Sequence, residues 1–220
     1  MVAGGSGTRF GRLKQFDLLV GRPVVAWSVD AARGVSDGVV LVLPAAAAHP
    51  GVSADGPGPA ERFGADVVVA GGDSRAASVR AGLAAVPDDA EVIVVHDAAR
   101  PLAGPELFEA VVAPLLTGAR RPDGVICAVP VADTLKRVGP DGAVRATLDR
   151  AELVAVQTPQ AFAAGSLRRA HAAGGEATDD AAMVEAAGGH VRVVAGDPRN
   201  VKITTPSDLS LLECLVAGRS

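Results

Sequence analysis

The chain has 220 residues, enough for a domain of ordinary to large size with a substantial core. Apolar residues make up 49% but aromatics only 3%, so Val, Leu and Ala must build that core. With 21 basic against 25 acidic side chains the balance is slightly acidic, which argues against a nucleic-acid binder. It leaves room for a small anionic substrate, because a few convergent cations can focus a positive field in a cleft.

In chain order, the first feature is Val2-Ala-Gly-Gly-Ser-Gly-Thr-Arg-Phe-Gly11, followed by Lys14-Gln15-Phe16. Glycines such as Gly4, Gly5 and Gly7 let a loop turn tightly and offer backbone N–H groups to phosphate oxygens. Arg9 and Lys14 put positive charge where a triphosphate would lie. A glycine-rich turn with two solvated cations is the plainer reading. A Walker loop is excluded by the missing Gly-Lys-Ser/Thr, and the dinucleotide fingerprint fails on spacing, with Asp30 falling in a helical stretch.

Short β-branched runs follow at Gly38–Leu43, Asp66–Val69, Glu91–Val95, Gly124–Val129, Val154–Val156, His190–Val194 and Val201–Thr204. Continuous runs, rather than alternation, predict strands covered on both faces of a mostly parallel sheet. His49–Ala60, rich in Pro and Gly, reads as a loop. Ser74 caps a helix carrying Val79, Leu83 and Val86 on one face, and Pro105 suits the first turn of another. Thr205-Pro-Ser-Asp208 is a capping-box start before Leu209, Leu212 and Leu215. Asp133–Arg150 departs from this pattern: two alternating runs flank Gly139-Pro-Asp-Gly142 and predict a β-hairpin. Such a hairpin is marginal alone and needs a partner surface. The expectation is a three-layer α/β/α sandwich over a single domain, residues 1–220, with a β-arm at about 131–150.

Cys127 and Cys214 are far apart and lack CxxC spacing, so neither a zinc site nor a disulfide framework is expected. The longest apolar candidate for a membrane span, Val39–Ala48, is interrupted by Pro44, and no secretory signal is read at the N-terminus. The expectation is a soluble cytoplasmic protein without membrane or nucleic-acid partners.

A second chemical site is read at His96-Asp-Ala-Ala-Arg-Pro101, after the run ending at Val95. An acid at the carboxyl end of a parallel strand points into the crevice where α/β sheets bind ligands, and there Asp97 can hold Mg²⁺ on nucleotide phosphates. Arg100 is placed to contact an acceptor. A helix cap paired with a nearby Arg is the plainer alternative. No histidine shows ligand spacing.

The Ala-Gly-Gly-Ser-Gly-Thr-Arg-Phe-Gly stretch with Lys-Gln-Phe resembles the opening of sugar-phosphate nucleotidyltransferases. Val95-His-Asp-Ala-Ala-Arg-Pro101, Thr158-Pro-Gln-Ala-Phe162, Thr178-Asp-Asp180 and Val201-Lys-Ile-Thr204 narrow the resemblance to the 2-C-methyl-D-erythritol 4-phosphate cytidylyltransferase family, over essentially the whole chain. The resemblance implies a Rossmann-like nucleotidyltransferase fold and CMP transfer from CTP to methylerythritol phosphate in isoprenoid precursor synthesis. It also implies Mg²⁺ and a homodimer joined through the β-arm. Arg9, Lys14 and Lys202 would be the catalytic cations. Ala3, Gly4, Gly5, Gly7, Gly72, Asp73 and Ser78 would bind the nucleotide. Arg100, Thr134, Arg150, Thr158 and Thr178 would bind the acceptor, with Arg150 reaching the neighbouring subunit. Asp97 would be the metal ligand and Asp197 the candidate second one, although Arg199 stands where the family is often acidic. Ribitol 5-phosphate cytidylyltransferases share the opening motif, and a nucleotide-binding regulator without turnover is the third reading. Two departures stand out: only four residues separate Arg9 from Lys14, with Leu13 in place of the customary proline, and little of a first strand precedes the loop.

Overall fold

The computed structural model describes residues 1–4, 13–48, 58–118 and 120–218. Gly5, Gly7 and Arg9 lie outside the described residues, as does most of the loop read at His49–Ala60. That loop gives way to the helix α3 (Pro59–Phe63), following α2 (Ala45–Ala48).

Chain entry is through a 3-10 turn, Lys14–Phe16, and a two-rung hairpin, β1 (Leu18–Leu19) with β2 (Arg22–Pro23). Helix α1 (Val24–Arg33) follows and contains Asp30, as expected. The main strands are β3 (Val40–Leu43), β4 (Val67–Ala70), β5 (Val92–Val95), β6 (Gly124–Pro130), β9 (Val154–Ala163) and β10 (Val191–Ala195). β3 pairs with β4 and β6 with β10 in parallel, whereas β9 runs antiparallel between β5 and β6. Val2 forms parallel bridges to Val42 on one side and Asp97 on the other. These few residues therefore take the slot between β3 and β5, and the sheet is mixed, parallel except at β9.

Alternate side chains of these strands go to opposite faces, and each face has its own core. Leu41, Leu43, Val125, Cys127 and Ala161 pack with Val25 and Val29 of α1, Phe63 of α3, and Leu107, Phe108 and Val111 of α5 (Pro105–Leu116). Ile93, Val95, Ile126 and Phe162 pack instead with Ala76 and Val79 of α4 (Arg75–Leu83), Leu167 and Ala170 of α6 (Ala164–Ala172), and Met183 and Val184 of α7 (Asp180–Ala186). Helices on both faces of one sheet make the three-layer sandwich. A third cluster joins Leu19, Val24 and Ile203 to Leu212 of α8 (Pro206–Ala217). The three helix starts behave as expected: Ser74 Oγ accepts from Ala77 N, Pro105 opens α5, and Thr205 and Asp208 form a capping box. Among the described residues no helix is long and apolar enough to cross a membrane.

Two expectations change. Val201–Thr204 is not a strand; it crosses the ends of the sheet, held by the Ile203 amide to the Ala99 carbonyl at 2.8 Å and by burial of the Ile203 side chain. Its β-branched residues serve packing rather than a ladder. β9 runs well past Val156, because Gln157, Thr158 and Gln160 are buried with hydrogen-bond partners that permit polar residues inside a strand. The hairpin itself forms: β7 (Lys136–Val138) pairs antiparallel with β8 (Val144–Thr147) and, among the described residues, with no other strand. Gly142, at φ 78°, supplies the left-handed residue that its turn requires.

Candidate active site

β5 ends at Val95, and the next two residues form the centre of the site. His96 and Asp97 are both buried. The Asp97 amide donates to Thr158 Oγ1 at 3.1 Å, and the same oxygen lies 3.1 Å from His96 Nδ1. His96 Nε2 lies 3.2 Å from the Arg100 carbonyl, which can only accept. These contacts are satisfied together when Nε2 carries the proton and Thr158 donates to Nδ1. The imidazole is therefore a neutral strut: burial pushes its pKa from 6.5 down to about 3, although Asp97 pulls it upward.

The Asp97 carboxylate stands between two cations. Lys202 Nζ is 2.5 Å from Oδ2, and Arg75, from the first turn of α4, is 3.4 Å from Oδ1. Burial alone would raise the Asp97 pKa, but Lys202 and Arg75 outweigh it and hold the value at about 2. Lys202 is brought here by the crossing segment 201–204, which Asp208 steadies by accepting from the amides of Thr204 and Thr205 at 2.7 and 2.8 Å. Lys14 Nζ donates to the carbonyl of Ile203 in the same segment. Its neighbour Gln15, buried, donates from Nε2 to the Ala3 carbonyl at 2.8 Å. The two ends of the glycine-rich stretch are thus tied to the edge where Asp97 and Lys202 meet.

On the other side of Ala3, the turn after β4 comes close to the root of that stretch. A Cβ on Gly4 would sit 3.0 Å from Ser78 Oγ, one on Gly71 2.8 Å from the same oxygen, and one on Gly72 2.6 Å from the Ala77 Cβ. A side chain at Gly71 or Gly72 would force its neighbours to move, and one at Gly4 would be tight. They form one floor from Gly4, Gly71, Gly72 and Ser78, whose hydroxyl lies 3.3 Å from the Gly72 carbonyl. Backbone groups and cations at the carboxyl edge of an α/β sheet are a phosphate-binding arrangement.

The match to a family model shows which family carries this arrangement. The model described as 2-C-methyl-D-erythritol 4-phosphate cytidylyltransferase matches residues 1–217. The chain belongs to that family. A protein of that name from Nocardia farcinica is 46% identical over 99% of this chain and 93% of its own, and one from Rhodococcus opacus is 48% identical over 97% and 92%. The crystal structure of 2-C-methyl-D-erythritol 4-phosphate cytidylyltransferase from Thermus thermophilus superposes with a TM-score of 0.78 at 34% identity, covering 98% of this chain and 97% of that one. A 4-diphosphocytidyl-2C-methyl-D-erythritol synthase from Anaerococcus prevotii gives 0.80 at 28% identity, covering 98% and 95%.

Of the residues expected from sequence, this cytidylyltransferase brings Ala3, Gly4, Lys14, Gly72, Ser78, Asp97, Thr158 and Lys202 to one edge of the sheet. Asp73 is exposed beside Gly72, and Thr178 is exposed beside Asp179, which caps α7. The Arg100 guanidinium donates to the Asn200 carbonyl at 2.7 Å and the Val156 carbonyl at 3.4 Å. Thr134 and Arg150 flank the base of the hairpin, where Arg150 donates to the Ala132 carbonyl. Asp197 Oδ1 accepts from the Arg199 amide at 2.7 Å and borders a depression with Gly104 and Glu106. Arg199 itself donates to the Leu215 carbonyl. Among the described residues no group of three His, Cys, Asp or Glu side chains could enclose a metal. Sequence reasoning passed over Arg75, Asp180, Gln15 and His96. The cue for Arg75 was its place just after Gly-Gly-Asp, at the same edge as Asp97.

Proposed function

We propose that the edge around Asp97 is where CTP and methylerythritol phosphate react. The chain catalyses transfer of CMP from CTP to 2-C-methyl-D-erythritol 4-phosphate, with release of pyrophosphate, in isoprenoid precursor synthesis. The single observation that carries the site is the Asp97 carboxylate held between Lys202 and Arg75 beside the glycine floor. An oxygen of the acceptor's phosphate attacks the α-phosphorus, its bond forms as the bond to pyrophosphate breaks, and no covalent enzyme intermediate is needed. The nucleophile is already an anion, so catalysis rests on positioning and charge rather than on a general base. Arg9, Lys14 and Lys202 stabilise the transferring phosphoryl group. Ala3, Gly4, Gly5 and Gly7 cradle the phosphates, while Gly72, Asp73 and Ser78 receive the cytidine. Arg100, Thr134, Arg150, Thr158 and Thr178 form the acceptor's surroundings. Thr158 has its one O–H engaged with His96, so toward substrate it can only accept.

A buried carboxylate outside any cluster of three ligand side chains among the described residues fits Mg²⁺ of the kind that is bound by one or two carboxylates, substrate phosphates and water. Asp97 would hold it, with Asp197 as the candidate second ligand, and it would offset charge on the phosphates. The working form we infer is a cytoplasmic homodimer of single-domain subunits joined through the hairpin arm. The deciding experiment is pyrophosphate release with purified protein across CTP, ATP, UTP and GTP, each crossed with methylerythritol phosphate and ribitol 5-phosphate. Turnover with ribitol phosphate equal to or above methylerythritol phosphate would move the chain to the other acceptor. No release with any pair would support the reading as a nucleotide-binding regulator without turnover.

A further inference from the structure

Behind the Asp97 carboxylate lies a charged group to which none of these roles refers. Asp180, the first residue of α7, has a fully buried side chain; its Oδ1 is 3.0 Å from His171 Nε2 and its Oδ2 is 2.8 Å from Arg75 Nη2. Burying a carboxylate costs several kcal/mol unless partners offset it, and one of the two partners here is the cation that faces Asp97. The helix holding Asp180 is fixed in place: Asp179 Oδ1 accepts from the Ala182 amide and its Oδ2 from Gln160 Nε2, both at 2.9 Å, while Met183 and Val184 are buried against the sheet. Arg75 is therefore shared unequally. It makes a short ion pair with the rigidly held, buried Asp180 and longer contacts, from Nε and Nη2 at 3.4 Å each, with Asp97 Oδ1. A charge-assisted hydrogen bond at full strength would be about 2.7–2.9 Å.

We infer that Arg75 is a positioning residue for the Asp97 carboxylate, and that Asp180, held by His171, is the anchor that keeps Arg75 from closing onto Asp97. The inference rests on Asp97 being the carboxylate that takes the divalent cation. A guanidinium and a metal ion compete for the same oxygen. At its anchored distance Arg75 orients Oδ1 through two long hydrogen bonds, weak enough for a metal ion to displace when nucleotide and metal arrive. Loss of the anchor releases Arg75 to pair fully with Asp97, which obstructs the metal. Loss of Arg75 frees the oxygen for the metal but removes what orients it. The two substitutions thus act on metal affinity in opposite directions, which a merely structural role for either residue does not produce.

The test is the Mn²⁺ affinity of the enzyme–CTP complex without acceptor, followed by water-proton relaxation, for the wild type, Arg75→Gln, Asp180→Asn, the double variant and Asp97→Asn. Thermal unfolding reports the folded fraction of each. The expected result is tighter Mn²⁺ binding for Arg75→Gln and weaker binding for Asp180→Asn, each by roughly fivefold, the size of coupling within one ion-pair network. The double variant should match Arg75→Gln, because Asp180 acts through Arg75. Shifts in the same direction, or none, with Asp97→Asn having lost Mn²⁺, overturn the inference and leave the Asp97 assignment intact. Wild-type Mn²⁺ affinity in Asp97→Asn overturns both. If Asp180→Asn does not fold, Arg75→Gln alone decides: tighter binding with reduced kcat sustains the inference, and unchanged affinity ends it.

Discussion

Lys202 Nζ lies 2.5 Å from Asp97 Oδ2 across 105 residues of chain. The lysine side chain is 40% exposed, whereas that of Asp97 is 12% exposed and retains Arg75 as a second counter-ion. Lys202→Ala should therefore cut kcat on the order of 10²–10³, as loss of a transition-state charge contact does. Because Arg75 stays paired with the buried Asp97 carboxylate and the lysine itself is partly exposed, the thermal midpoint should fall only modestly compared with the loss of activity. Pyrophosphate release and a melting curve on the same preparation separate the two effects. A variant that melts early but is fully active per folded molecule would remove Lys202 from the chemistry.

Much of this architecture was legible because Val, Ile and Leu occur in runs that only two-sided burial explains, as in β3 and β6. Turn and cap chemistry placed α4, α5, α8 and the hairpin. What resisted reading was structure made by partners distant in the chain. Val201–Thr204 has strand composition, yet its fate is decided by Ala99 and Leu212, to which Ile203 is held by hydrogen bonding and packing. Gln157 and Gln160 do not look like strand residues until their amide groups are seen to donate to the Asp197 carbonyl and the Asp179 carboxylate. Arg75 lies between Asp73 and Ser78, and Asp180 two residues after Thr178, so in the sequence each stands beside residues with a more recognisable role. Their relation exists only once α4 and α7 are packed on the same face.

His96 predicts how stability depends on pH. Its pKa falls from 6.5 in the unfolded chain to about 3 in the fold, so the unfolded state binds more protons throughout that interval. Stability is fully present above 6.5 and declines as pH drops toward 3. Asp97, lowered from 3.8 to about 2, adds a separate loss that begins only in the lower window. Denaturant unfolding at several pH values across the upper window should show this slope in the wild type and a flatter one in His96→Gln. An identical slope in both proteins would mean that another group carries it.

The two cysteines should differ sharply in reactivity. Cys127 is buried in β6 with Sγ 3.3 Å from the Pro159 carbonyl, and burial pushes its thiol up to about 11. Thiolate is the reactive form, so this thiol should be inert in the folded state. Cys214 is exposed on α8. A chromogenic disulfide reagent at mildly alkaline pH should label one thiol per folded chain and both in denaturant. Cys214→Ser should abolish the native-state reaction. Rapid native labelling of Cys127 would show that β6 opens far more readily than its burial implies.

The hairpin leads to the most demanding prediction, a site shared between subunits. Among the described residues β7 and β8 pair only with each other, and Val138 and Val144 are 54% and 61% exposed. A two-stranded hairpin with apolar residues in water is marginal by itself. Val154 and Val156, on the strand that follows, are also exposed, so the hairpin and the start of β9 offer apolar surface to a partner. A second copy related by a two-fold axis would cover equivalent surfaces on both chains. Arg150 stands at the hairpin base, and its rigid fork suits a phosphate or a set of hydroxyls on the neighbour's acceptor. Lys14 instead belongs to its own chain's edge, through the Ile203 carbonyl. Lys14→Ala and Arg150→Ala should each be inactive as pure proteins. Mixed dimers then place both lesions in one site and leave the other intact. Co-incubation under conditions of proven subunit exchange should restore part of the activity, in proportion to the mixed species. A monomer by sedimentation, or mixtures that stay inactive despite exchange, would confine Arg150 to its own chain.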